Sequence, residues 1–312
     1  MAEIVISEFM DEAAVATLAR DYGLLYDPAL VERPAELLAA ARSARALIVR
    51  NRTQVRGELL AAAARLEVIG RLGVGLDNID MPACAARGIE VVRANLANAV
   101  SVAEYVIAGI LMLLRAGAYH ATPEVLAGKW PRTKLVGHDV NAKTLGLVGF
   151  GAIAREVATR AGALGMRVIA HDPFIDDNDA AWKALTVARR ATLESLLRES
   201  DVVSLHVPLT AETRNLIDRA ALASMKAGAV VINAARGGVL DERALADALR
   251  AGKLAGAMLD VFATEPLPAG SPLQNARNLI LTPHIAGVTE ESNARVGKMV
   301  AEGVGRVLSR AT

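Results

Sequence analysis

Residues 144–172 read TLGLVGFGAIAREVATRAGALGMRVIAHD, and few folds accommodate such a stretch. An aliphatic strand ends in a glycine turn, a helix of small residues follows, and a second aliphatic strand closes on an acid. Strands joined through a helix run parallel. Parallel strands are covered by helices on both faces, so they read as unbroken aliphatic runs rather than alternating ones. The composition suits that arrangement. Hydrophobic residues make up 53% of the 312 positions and aromatic residues only 3%, so the cores are built from Ala, Val, Leu and Ile.

The same pattern recurs through the chain. Before it, strands are expected at 4–7, 46–49 and 68–73, with helices at 13–22, 35–42 and 58–66 between them. A long helical segment from Ser101 to Arg115 and an irregular connection over 135–143 lead into a second, more regular series. There, strands are expected at 144–148, 167–171, 202–206, 229–234, 255–260 and 279–282, separated by helices at 153–163, 192–198, 218–224 and 241–250. A helix over 289–308 ends the chain. Strands alternating with helices give α/β folds, and the expectation is two doubly wound parallel-sheet domains with a ligand cleft between them.

Several function classes are disfavoured. With 35 basic and 34 acidic residues the net charge is +1, so no broad basic surface exists to attract nucleic acid. The longest apolar run, Val106 to Leu114, has nine residues, whereas a bilayer span needs about 20. The N-terminus lacks the basic and hydrophobic regions of a signal peptide. The lone Cys84 excludes an internal disulfide and fits a reducing cytoplasm. No metal site is expected.

Gly149-Phe150-Gly151-Ala152-Ile153-Ala154 follows one strand and opens a helix, a G-x-G-x-x-A variant of the dinucleotide fingerprint. Gly149 permits the turn, Gly151 lets backbone approach a pyrophosphate, and Ala154 lets helix and strand pack closely. Free N–H groups at the helix start favour phosphate. Asp172 ends the next strand, 23 residues after Gly149, where an acid bonds the adenosine ribose hydroxyls. No Lys or Arg follows before Lys183, so a 2′-phosphate would find no cation in that segment. NAD is the expected cofactor.

Three residues with complementary chemistry follow strands in the second series: Arg236 in VVINAARGG, Glu265 in AMLDVFATEP and His284 in LILTPHIAG. Ligands of parallel α/β sheets bind outside the carboxyl ends of the strands. A guanidinium binds a planar anion with two parallel hydrogen bonds, and an imidazole transfers protons near neutrality. Glu265 could hold the imidazole and favour its charged form. His206, in VSLHVPLT, also ends a strand, and on the sequence alone His206 and His284 compete as the acid.

These motifs carry a specific resemblance. ALIVRNRTQV, VIGRLGVGLDNID, GKW, KTLGLVGFGAIARE, INAARGGVLDERAL, GAMLDVFATEP and TPHIAG occur in an order that resembles the D-isomer-specific 2-hydroxyacid dehydrogenases, most closely their 3-phosphoglycerate dehydrogenase branch. The resemblance covers about Ala46 to about Thr289. It implies a Rossmann domain, residues 99–284, inserted into a flavodoxin-like substrate domain of residues 1–98 completed by 285–312. Arg236, Glu265 and His284 would be the catalytic set. Gly149, Gly151, Ala152, Ile153, Asp172, Val207, Pro208, Ala234, Ala235, Arg236, Asp260, His284, Ala286 and Gly287 would line NAD, with Asp260 at the nicotinamide end. Asn51, Arg52, Arg236 and the backbone of Val74 and Gly75 would contact substrate. Homodimerisation through the inserted domain would account for the apolar helix 102–114.

Two features depart from that pattern. Ala152 stands where the family often has Arg, which removes one pyrophosphate contact. The chain also ends at Thr312 without the C-terminal regulatory domains of the longer phosphoglycerate dehydrogenases, so serine feedback is not expected. The implied activity is NAD-linked interconversion of a D-type 2-hydroxy acid and its 2-keto acid. The alternative is an NAD(H)-sensing corepressor-like binding protein of the same fold. Arg50 and Arg52 in VRNRT bring cations to the expected substrate side, and Arg52 replaces a small residue of the phosphoglycerate enzymes. Arg52 either meets an anionic tail on the substrate, a phosphate, sulfonate or second carboxylate, or points to solvent. IVISEFMDEAA is also similar to the sulfolactate dehydrogenases of the family, which makes sulfopyruvate a candidate substrate.

Overall fold

A computed structural model describes residues 2–311, and the chain divides into two compact units: Met1–Asn98 with Val288–Thr312, and Ala99–Gly287. The first contains five parallel strands, β1 (Ile4–Ile6), β2 (Leu24–Tyr26), β3 (Ala46–Val49), β4 (Val68–Arg71) and β5 (Glu90–Arg93), in the order β2-β1-β3-β4-β5. This is the flavodoxin-like order. Successive side chains leave a strand on opposite faces, and both faces are apolar here. Ile4, Ile6, Ile48 and Val68 pack under Val296, Val300, Val304 and Leu308 of the helix Glu290–Leu308. Val5, Leu47, Val49 and Ile69 pack on the other side against Leu37, Leu59, Leu60 and Cys84.

The second unit contains β6 (Thr144–Val148), β7 (Arg167–His171), β8 (Ala188–Arg189), β9 (Val202–Leu205), β10 (Ala229–Asn233), β11 (Leu254–Leu259) and β12 (Leu279–Leu281). All seven are parallel, in the order β12-β11-β10-β9-β6-β7-β8. The order reverses at the β6/β9 pair, which is the doubly wound switch point. The register then aligns the strand ends. Val148 pairs with His171 and Leu205, Leu205 with Asn233, Asn233 with Leu259 and Leu259 with Leu281. Gly149, Asp172, His206, Ala234, Asp260 and Thr282 therefore step off one common edge.

Three strands lie outside the expected set: β2, β5 and β8. Each is two to four residues long and sits at or beside a sheet edge, so none carries the long buried run by which the others are recognised. β4 stops at Arg71 rather than at residue 73, because the chain folds back over the Arg71 side chain. A Cβ on Gly73 would lie 2.3 Å from Arg71 Nη1. The apolar helix spans Ala99–Leu114, and its character has an internal cause. Val106, Ile110 and Leu113 are buried with Leu145, Val157, Ile232 and Met258. Large exposed apolar side chains come after it, at Leu126, Trp130 and Val136, which are 83%, 74% and 75% exposed.

Candidate active site

Arg236, Glu265 and His284 lie in the segments that follow β10, β11 and β12, three neighbouring strands. The buried Asn233 ends β10 and holds the turn that carries Arg236: its side chain accepts from Ala235 N at 3.0 Å and donates to Arg236 O at 2.9 Å. At Gly237 the backbone runs against the next loop so closely that a Cβ would lie 1.8 Å from Phe262 O. Only glycine fits there. Glu265 Oε1 accepts from Phe262 N at 3.1 Å, and Oε2 lies 2.8 Å from His284 Nδ1. The two side chains remain 32% and 35% exposed, which leaves them accessible to a reacting molecule.

The electrostatics keep Glu265 ionised. Burial pushes its pKa up, but the hydrogen bond and charge of His284, the Phe262 amide and the charge of Arg236 bring it below its ordinary 4.5. With Nδ1–H donating to this carboxylate, Nε2 is the imidazole nitrogen left for a substrate. The rival, His206, has a different environment. Its Nε2 lies 2.9 Å from Ser204 Oγ, and burial pulls its pKa down to about 4. A neutral imidazole at physiological pH cannot start as the acid, and the geometry favours His284.

Asp260, expected at the nicotinamide end, is 1% exposed and is engaged by the protein itself. Its carboxylate accepts from Ile285 N at 2.8 Å, from Ala286 N at 2.7 Å and from Thr282 Oγ1. Its carbonyl accepts from His284 N at 2.8 Å. His284 adopts φ +58°, a left-handed conformation that non-glycine residues rarely take, and this collar of hydrogen bonds holds it there.

The residues after β6 and β7 fit a dinucleotide. Gly149 turns at φ +89°, and a Cβ there would sit 2.7 Å from His206 O and 3.0 Å from Val207 Cγ1. At Gly151 a Cβ would meet no atom within 4 Å, so the backbone is open to approach. No side chain caps the helix Ala152–Ala163 that Gly151 begins, which leaves its first amides available to phosphate. Asp172 is brought to the loop, with Phe150 N donating to Oδ2 at 2.9 Å and Phe174 N to Oδ1 at 3.0 Å. Ala152 and Ile153 lie on the first helical turn, Ala234 and Ala235 directly follow β10, and Pro208 comes three residues after the end of β9. β8 adds what the local sequence does not reveal: Arg189 and Arg190 lie beside β7. Both are already paired, Arg189 with Asp177 at 2.8 Å and Arg190 with Glu199 through two 2.6 Å hydrogen bonds.

The candidate substrate residues of the first unit also follow strand ends. Asn51 is half-buried and Arg52 exposed. The Arg52 guanidinium pairs with Glu32 at 3.2 Å, where the two side chains are 57% and 59% exposed. Arg50 is the cation drawn inward. It donates to Asn293 Oδ1 at 3.0 Å, has no ion pair among the described residues, and burial pushes its pKa down. Val74 and Gly75 are half-buried, and neither amide donates a hydrogen bond among the described residues.

Sequence reasoning misses the residue that shapes this loop. Glu8, 4% exposed, accepts from Arg50 N at 2.9 Å, Arg52 N at 3.1 Å and Thr53 N at 3.0 Å. Asn78 Nδ2 secures the same turn through Arg50 O and Thr53 O. The available signal was an acid directly after an aliphatic strand, IVISE. Among the described residues there is no group of three or more His, Cys, Asp or Glu suited to a metal, and no helix is long and apolar enough to cross a membrane.

Residues 107–286 match the family described as D-isomer specific 2-hydroxyacid dehydrogenase, NAD binding domain. An (S)-sulfolactate dehydrogenase of Chromohalobacter salexigens is 58% identical over 308 residues, covering 99% of each chain. A D-3-phosphoglycerate dehydrogenase of Archaeoglobus fulgidus is 40% identical over 97% of this chain, which spans only 56% of that longer protein. Among solved structures, the TT0316 protein of Thermus thermophilus superposes with a TM-score of 0.87 at 35% identity, covering 98% of this chain and 96% of that one.

Proposed function

The chain belongs to the D-isomer specific 2-hydroxyacid dehydrogenase family, and on that premise we propose that it reduces a 2-keto acid with an anionic tail, sulfopyruvate being the leading candidate. The reaction is NAD-dependent. Bound NADH supplies the hydride that reduces the keto carbon. His284 gives the carbonyl oxygen a proton from Nε2, while Glu265 holds Nδ1 and orients the ring. Arg236 binds the substrate carboxylate and polarises the carbonyl. In the oxidative direction His284 takes the hydroxyl proton instead. Val74 and Gly75 offer free backbone amides for an anionic group. Gly149, Gly151, Ile153 and Asp172 are the proposed holders of the cofactor.

The observation that carries this reading is the 2.8 Å pairing of Glu265 Oε2 with His284 Nδ1, on a loop next to the one that carries Arg236. For the tail, the supporting feature is Arg50 rather than Arg52: a partly desolvated guanidinium that feels the Glu8 charge but makes no direct ion pair among the described residues gains from an incoming anion. The 58% identity to an (S)-sulfolactate dehydrogenase supports a sulfonate. Replacing the lactate methyl with a sulfomethyl group reverses the priority order at C2, so the (S) label describes the D-like arrangement. Residues 1–98 with the final helix are read as the substrate domain and the intervening residues as the NAD domain. Exposed Leu126, Trp130 and Val136 support a homodimer, and the single buried thiol Cys84 supports a cytoplasmic location. The test is NADH oxidation against a panel of 2-keto acids differing in their tails. Sulfopyruvate should be reduced with the highest kcat/KM, and a preference for pyruvate or glyoxylate would overturn the tail assignment.

A further inference from the structure

The segment that carries His284 is tied to a residue far away in the chain. Tyr105 lies in the middle of the helix Ala99–Leu114, 177 positions before Thr282, and its hydroxyl meets Thr282 Oγ1. The Thr282 hydroxyl donates its only proton to Asp260 Oδ1. Tyr105 must therefore be the donor to Thr282. A directed chain of hydrogen bonds results, from Tyr105 through Thr282 to the Asp260 carboxylate. Asp260 then takes the amides of Ile285 and Ala286, while its carbonyl takes the amide of His284. Every residue from Thr282 to Ala286, apart from Pro283, is bonded to Asp260.

We propose that Tyr105 is a positioning residue for His284, acting through Thr282 and Asp260, an inference that rests on His284 being the proton donor. Chains of hydrogen bonds polarise one another in a poorly solvated interior, so the phenol strengthens the bond that Thr282 makes to Asp260. Burial also keeps the phenol protonated, with its pKa pushed up to about 12, so it remains a donor throughout the working range. The function is geometric. His284 holds a left-handed backbone conformation only because its neighbours fix it, and a small displacement of a proton donor lowers the rate sharply. The His284–Glu265 contact depends on the same backbone.

The test is a double-mutant cycle on kcat for keto-acid reduction. Tyr105→Phe keeps the ring and removes the donor. It should lower kcat roughly tenfold and leave the KM for NADH within about twofold. Thr282→Val should lower kcat at least as far, and Thr282→Ser, which keeps the hydroxyl, should restore it. If Tyr105 acts through Thr282, the double variant Tyr105→Phe/Thr282→Val should be no slower than Thr282→Val alone. Wild-type kcat in Tyr105→Phe would overturn the proposal. So would losses that multiply in the double variant, or a loss matched by a fall in melting temperature and an equal rise in KM for NADH. A wild-type protein that reduces no 2-keto acid would instead defeat the functional reading, which separates the two failures.

Discussion

Glu265 Oε2 and His284 Nδ1 lie 2.8 Å apart although the two residues come from the ends of different strands. The pairing fixes which imidazole nitrogen faces a substrate. His284→Ala should lower kcat by 10²–10⁴-fold, the usual worth of a general acid, while NADH binding measured by fluorescence persists, because the glycine loop is built from other strands. Glu265→Gln keeps the shape and removes the charge, and should reduce kcat by a smaller factor. The sign of the pH effect follows from the lowered Glu265 pKa. A depressed carboxylate stays ionised above its ordinary 4.5, and its ion pair is lost only as pH falls through the lower folded value. The kcat profile for reduction should therefore show no Glu265-dependent acid limb above about pH 5. An acid limb in that range that disappears in Glu265→Gln would contradict the assignment.

Arg50 and Arg52 give opposite expectations two residues apart. Arg50→Ala should lower kcat/KM for sulfopyruvate by a charge-assisted contact, about 1.5–3 kcal/mol, and leave pyruvate nearly untouched. Arg52→Ala removes an exposed ion pair with Glu32, a contact worth about 0–1 kcal/mol. Its kinetics should stay within about threefold of wild type for every substrate. If Arg52→Ala alone separates sulfopyruvate from pyruvate, the tail is read by the outer arginine.

Cofactor choice should follow Asp172. Its carboxylate sits at the glycine loop, and the nearby Arg189 and Arg190 are engaged by Asp177 and Glu199. NADH should exceed NADPH by more than tenfold in kcat/KM, at least about 1.4 kcal/mol. Asp172→Ala should narrow that ratio chiefly by weakening NADH. Releasing an arginine with Glu199→Gln should improve NADPH, and equal wild-type efficiency with both cofactors would sink the argument.

What was legible in the sequence is what depends on neighbours along the chain. LGLV, VIA and AVVI announce buried strands because each is an unbroken apolar run, and the residues that follow the strands, Gly149, Asp172 and Ala234, mark the common edge. β2, β5 and β8 were hidden because short strands at or near a sheet edge carry little burial. Contacts across sequence were equally hidden. Nothing in SVAEY and LTPHI says that Tyr105 meets Thr282, and nothing in IVISE says that Glu8 binds three amides about 45 residues away. The competition between two histidines could not be resolved either, because the partner of each ring and not residue type distinguishes them: a carboxylate at His284 and a serine hydroxyl at His206.

That distinction yields a measurement on His206. Burial lowers its folded pKa to about 4 from an ordinary 6.5. Between those values the unfolded chain binds a proton that the folded protein refuses, so the unfolded state gains as pH falls. Stability is fully present above pH 6.5 and declines toward pH 4, by no more than about 3 kcal/mol in total and about 2 kcal/mol at pH 5. His206→Gln keeps a group able to bond Ser204 Oγ but cannot take the proton. Its melting temperature should therefore fall less between pH 7 and pH 5 than that of wild type, by several degrees at about 2–4 °C per kcal/mol. The same variant should retain the ionisation seen in the wild-type rate profile. If His206→Gln instead abolishes that ionisation while His284→Ala keeps it, His206 is the acid and the assignment made from the Glu265 contact falls.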